Sequence, residues 1–241
     1  MEARGNIELK HAFVVKESDV RQIWDLFQSH IGTVVCSGEC ADGIERAFSS
    51  AGAVLRFNNA TQKQIIGMVF EARSKDRENF ANLEFSENNR APVSVRISGS
   101  EEVVARLKDA VEDVIYGMKP WYSRVTRLDF SYVALAMFMP LLLFLQAYSH
   151  GKRIKSETIG EAISEAVVSI IFVAIILVSV WLMNKLRQRL FPIGSFALGQ
   201  GKDRYAFDEK VRWAFVGVAV PLIIALISGP VWRIITRIIV A

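Results

Sequence analysis

Cys36 and Cys40, spaced C-x-x-x-C, are the side chains of this sequence best suited by type to redox or metal chemistry. Cys36 ends a predicted strand. If the chain stays extended through Cys40, the two Cα atoms are about 13 Å apart, whereas a disulfide needs them within about 7 Å. A zinc site would need two further ligands, and the histidines are His11, His30 and His150. The pair therefore reads as reduced structural thiols. Gly194, Gly199, Gly201 and Lys202 outline a phosphate loop. That motif places Lys directly after the second Gly of G-x-x-x-x-G, and Gln200 stands there instead. Glu101-Glu102 and Glu112-Asp113 read as helix-start charge and a solvated helix face. His11 falls on the apolar face of a strand and reads as a hydrogen-bonded core or sheet-edge histidine. The chain carries no G-x-S-x-G, H-E-x-x-H, EF-hand or kinase signature. The expectation is a non-enzymatic protein with no catalytic, metal or cofactor-binding residues and no cofactor.

The elements that would position these residues follow from periodicity. Ile7, Leu9, His11, Phe13 and Val15 alternate with Glu8, Lys10 and Ala12, which predicts a half-buried strand. Ser18 and Asp19 open a helix whose buried face is Val20, Ile23, Trp24, Phe27 and Ile31, stopping at Gly32. Thr33–Cys36 reads as a strand. Asp42-Gly43 predicts a tight type I′ hairpin returning through Ile44–Phe48. Ser50–Phe57 reads as a short helix. Three further strands centre on Ile66–Ala72, Ala81–Phe85 and Val93–Ile97. Ser100 caps a second long helix with the stripe Val103, Val104, Leu107, Val111, Val114, Ile115 and Met118, closed by Gly117 and Pro120. Residues 1–118 thus form a soluble α+β domain, an antiparallel sheet with helices packed on it. Met1–Lys16 has no apolar signal-like core, so this domain is expected in the cytoplasm.

Residues 119–241 read differently. Phe130–Tyr148, Ala166–Asn184 and Trp213–Trp232 are long uncharged runs, each about 30 Å as a helix. They predict an all-α membrane domain of three transmembrane helices, spans 130–148, 166–184 and 213–232. Pro140 would kink the first, and Gly217, Pro221, Gly229 and Pro230 would bend or break the third. The chain's net charge of +4 comes from this half. Its basic loops read as topology signals meeting anionic head groups rather than nucleic acid. Trp121, Tyr122, Arg124, Arg127, Lys185, Arg187, Arg189, Trp213 and Trp232 are the expected membrane-interface anchors. The Lys/Arg balance places the N-terminal domain in the cytoplasm and the C-terminus outside, in a multi-pass cell-membrane protein. Gly117–Ser123 and Asn184–Arg204 resemble segments of bacterial membrane proteins, a likeness covering mainly residues 115–230 and implying no activity.

Two functions fit this reading. The first is a membrane-anchored cytoplasmic sensor or protein-interaction module, meeting a protein partner, a second copy of itself or a small ligand. The second is an oligomeric pore-forming or membrane-disrupting effector gated by the cytoplasmic domain.

Overall fold

Alternation of apolar and polar residues builds a six-stranded antiparallel sheet. The computed structural model describes residues 2–87, 91–129, 131–132, 159–222 and 225. The sheet strands are β1 (Glu2–Leu9), β3 (Thr33–Cys40), β4 (Glu45–Phe48), β5 (Ile65–Arg73), β6 (Phe80–Ser86) and β7 (Val93–Ser100), in the order β1-β7-β6-β5-β3-β4. The register aligns Ile7, Val95, Leu83, Phe70, Cys36 and Phe48 in one row across the sheet, and all six are buried. Period-two patterning thus gives one apolar face.

Helices α1 (Glu17–His30) and α3 (Glu101–Gly117) cover that face with Val20, Ile23, Trp24, Phe27, Leu107, Val111 and Ile115. Helix α1 begins two residues earlier than Ser18 suggests, because the Asp19 carboxylate accepts the Lys16 N–H at 2.8 Å. The Ser50 hydroxyl caps the short α2 (Ala51–Arg56), accepting from Ala53 N at 3.1 Å, and Ser100 caps α3.

Three local expectations are corrected. The first strand does not run through His11: it breaks at residues 10–12 into β1 and β2 (Phe13–Lys16). The Asp42-Gly43 connection is not a type I′ turn, since of the two only Gly43 has positive φ. The loop is longer, and Asp42 braces it by accepting two bonds from Arg46, at 2.9 and 2.6 Å. Finally, β2 pairs in parallel with β8 (Gly194–Ala197), which sequence reading treats as part of a loop.

The described residues divide into two compact units, one made of residues up to Ser123 and from Leu190 onward, the other Arg124–Arg189. The first unit therefore draws on both sides of position 118. It contains β8 and helix α5 (Gly201–Ala214), while most of helix α4 (Ile159–Leu190) lies in the second unit.

The largest correction concerns the membrane half. Among the described residues no helix is long and apolar enough to cross a membrane. This overturns the all-α membrane domain of three transmembrane helices, and with it the multi-pass membrane location and the external C-terminus. Trp213–Leu222 continues a helix whose preceding turns carry Lys202, Asp203, Arg204, Asp208, Glu209, Lys210 and Arg212. Phe130 and residues 133–148 of the first run and most of the third beyond Leu222, including Pro140, Gly229 and Pro230, lie outside the described residues.

Asn59 ties the two parts of the first unit together. It is fully buried, at φ +46°, a left-handed conformation that Asn tolerates well. Its side-chain Nδ2 donates to Phe196 O and Leu198 O, both at 3.1 Å, and its Oδ1 accepts from Ile65 N at 2.9 Å. Asn59→Ala should destabilise the fold by about 3 kcal/mol, because it strands buried backbone groups. Asn59→Asp should do at least as much harm, facing two carbonyls with a carboxylate. Urea unfolding followed by circular dichroism measures both.

Candidate functional site

The six-stranded sheet has a second face, and among the described residues no helix packs on it. Its side chains stand in rows fixed by the register. One row is Arg4, Ser98, Phe80, Arg73 and Thr33; the next is Asn6, Arg96, Asn82, Glu71 and Val35. A third is Glu8, Ser94, Glu84, Val69, Ser37 and Ala47, and beyond it come Ser86, Gly67, Glu39 and Glu45. Charge is therefore unevenly spread along the strands, with Arg4, Arg73 and Arg96 at one end, Glu71 among them, and Glu8, Glu39, Glu45 and Glu84 toward the other.

Each end holds a shallow depression. Arg4, Asn6, Phe80, Arg96 and Ser98 line one of about 410 Å³. Ser37, Glu39, Glu45, Gly67, Val69 and Glu84 line the other, of about 350 Å³. At the basic end, Arg73 lies over the Phe80 ring, 5.4 Å from its centroid, and pairs with Glu71 at 3.3 Å. Both partners of that pair are exposed, so it contributes little to stability. At the acidic end Glu39 stands directly opposite Glu45, a like-charge cross-strand pair that costs stability. The register slips between Glu39 and Cys40, a bulge that twists this end of the sheet. The absence of a side chain at Gly67 makes room for Glu39, whose carboxylate oxygen would lie 3.2 Å from any Cβ placed there.

Just past β6, Glu87 adds a titrating group. Burial pushes its carboxyl from the ordinary 4.5 up to about 7. The thiols of Cys36 and Cys40 are free and buried, and burial pushes Cys36 up to about 12, which leaves it an unreactive thiol. His11 is buried, with Nδ1 2.9 Å from Ala12 O and its ring 5.6 Å from Tyr116. Among the described residues no group of three or more His, Cys, Asp or Glu is placed to hold a metal ion.

The residues that the sequence marks as interface anchors fall into two groups. Trp121, Tyr122 and Trp213 come together in the first unit. The two indoles stack with centroids 5.1 Å apart, and Trp121 also meets Phe191 edge-on. The tryptophans stay half exposed, whereas Tyr122 is fully buried. Arg124, Arg127, Lys185 and Arg189 are exposed in the second unit. There Lys185 lies over the Trp181 ring, and Arg187 donates to the Thr126 carbonyl at 2.8 Å and to that of Leu128. Trp232 lies outside the described residues.

Sequence reading takes Arg212 only as one more basic loop residue in the topology charge balance. It is 1% exposed, and its guanidinium sits 4.8 Å from the Tyr122 ring centroid and 5.0 Å from that of Tyr205. The i, i+7 spacing of Tyr205 and Arg212 on one helix face was the available signal.

The glycines that suggest a phosphate loop have a packing explanation. A Cβ at Gly199, which has φ +49°, would stand 2.7 Å from the Phe57 and Asn58 carbonyls. One at Gly201 would stand 2.4 Å from Asn59 Nδ2 and from Phe196 O. The loop is glycine-rich because backbone presses on backbone there.

Compared with known proteins, the chain matches no family model, no curated protein and no solved structure.

The Glu87 shift sets a pH dependence. Because its folded pKa lies above its ordinary value, the folded state holds the proton more tightly than the unfolded chain does. The associated stability is complete below about pH 4.5 and is lost as pH rises through about 7. Glu87→Gln should flatten this slope and raise stability at pH 8 relative to the parent, as read from urea midpoints between pH 5 and 8.

Proposed function

We propose that this chain is a non-catalytic protein-interaction module and that its open sheet face docks a second copy of itself. The observation that carries the reading is the uneven spread of charge along the strands, Arg4, Arg73 and Arg96 with the single Glu71 at one end against Glu8, Glu39, Glu45 and Glu84 toward the other. A two-fold axis lying between two such faces, perpendicular to the strands, sets the basic end of each copy on the acidic end of the other. An isologous dimer needs that kind of self-complementary patch.

The same contact relieves the Glu39–Glu45 repulsion, since the partner brings arginines over it. Size favours a reversible association. Five inter-strand gaps of about 4.8 Å and strands about 24 Å long give roughly 600 Å² per copy, below the approximately 800 Å² per side of a standard stable interface. The face is polar, so its affinity comes from charge and falls with salt.

Sedimentation velocity tests this on the full chain. A dimer should form at about 50 mM salt and dissociate at about 500 mM. Glu39→Lys with Glu45→Lys should weaken it about tenfold or more. Adding Arg96→Glu and Arg73→Glu, which exchanges charge at both ends, should restore it at least in part. A chain that is monomeric at low salt, or whose association ignores these reversals, rejects the reading.

A further inference from the structure

The Arg212 guanidinium is enclosed in protein, and among the described residues no carboxylate is in ion-pair contact with it. Nη1 donates to Leu190 O at 3.3 Å. Nε and Nη2 are buried and have no hydrogen-bond partner. These two nitrogens form one edge of the planar fork, the side-on edge whose parallel N–H groups match the two oxygens of a carboxylate. The Tyr122 and Tyr205 rings lie against the same group. They stabilise the cation through their faces but satisfy neither N–H.

The neighbouring polar groups do not fill that edge. The Tyr205 phenol meets Arg212 both electrostatically and through a side-chain hydrogen bond, yet Nε and Nη2 themselves have no partner in hydrogen-bond geometry. The buried Tyr122 hydroxyl has no partner in ideal hydrogen-bond geometry, and the Ser195 side chain supplies its nearest hydrogen-bonding interaction. Burial pushes the Tyr122 phenol up to about 12 against the pull of Arg212, so it stays neutral and supplies no counter-charge. An unpaired, desolvated guanidinium is costly, and the cost is removed when an anion meets the open edge.

We propose that Arg212 is the receptor of a carboxylate-binding site, taking a monocarboxylate through Nε and Nη2. A single guanidinium matches a single negative charge, and Glu209, close enough to raise the phenol pKa of both tyrosines, opposes a dianion. Trp121 and Trp213, 47% and 57% exposed, and the part-buried Tyr205 are the more exposed aromatic side chains of this cluster. This site is independent of the sheet-face dimer and stands or falls separately from it.

Arginine-selective ¹⁵N NMR on the full chain tests the proposal, with sodium formate as the probe and sodium chloride at matched ionic strength as the control. One Nε–H resonance should shift saturably with formate and hardly at all with chloride or inorganic phosphate. It should be missing in Arg212→Lys, and formate affinity in that variant should fall about tenfold or more, because an ammonium lacks the two-donor fork. If Arg212→Lys does not fold, Tyr205→Leu assigns the resonance, since loss of the ring displaces it. Absence of a saturable response overturns the proposal, and so does an equal response to chloride or phosphate. A formate-sensitive resonance that Tyr205→Leu leaves in place would put the site elsewhere and overturn it as well.

Discussion

The buried side chain of Asn59 is the constraint on which the first unit depends. Three backbone groups from segments more than 130 residues apart converge on one amide, two carbonyls of the β8 region on its donors and the first N–H of β5 on its acceptor. No apolar residue can replace it, because each of those groups would then be buried without a partner. Its left-handed φ also turns the chain out of α2 toward β5. With that tie in place β8 lies beside β2, Phe196 meets Phe13 in the core, and α5 starts where Arg212 will reach Tyr122. Gly199 and Gly201 are the complement of Asn59: their missing side chains let the carbonyls come close enough to bond.

The sheet divides its work by face. The inward residues fill a core capped by α1 and α3, and they could be exchanged for other apolar residues of similar volume. The outward residues contribute little to that core. Their arrangement includes a like-charge pair directly across two strands, which stability alone would not favour. Both sheet edges are blunted, β4 by its length of four residues and β1 by alternating Arg4, Asn6 and Glu8. The exposed edges are therefore poor templates for further strands, and the flat charged face is the surface left to recognise a partner.

Much of this was legible in the sequence, and the gaps have physical causes. Strands β5, β6 and β7 and helices α1 and α3 show clean periods because each has one buried side and one wet side. The β2–β8 pair was not legible. Gly194–Ala197 is four residues long, carries Gly and Ser, and bonds to a strand some 180 positions away, so no local pattern records the pairing. The apolar runs misled because run length measured on a sequence says nothing of the helix that carries it. The run from Trp213 joins a helix that opens with Lys202, Asp203 and Arg204. Trp121, Tyr122 and Trp213 were noticed as amphipathic aromatics, but the reason for their placement lies in a neighbour that looked like one more loop charge.

That neighbour, Arg212, brings opposing effects into one place. Two aromatic faces attract a desolvated cation by about 2 kcal/mol or more each in favourable cases, while removing a guanidinium from water costs several kcal/mol. The rings offset part of the charge penalty and none of the hydrogen-bond penalty, because a π face accepts nothing from Nε and Nη2 in the plane of the fork. A methionine would fill similar space without either penalty. The arginine thus keeps a donor edge that neither ring fills, beside two stacked, half-exposed tryptophans.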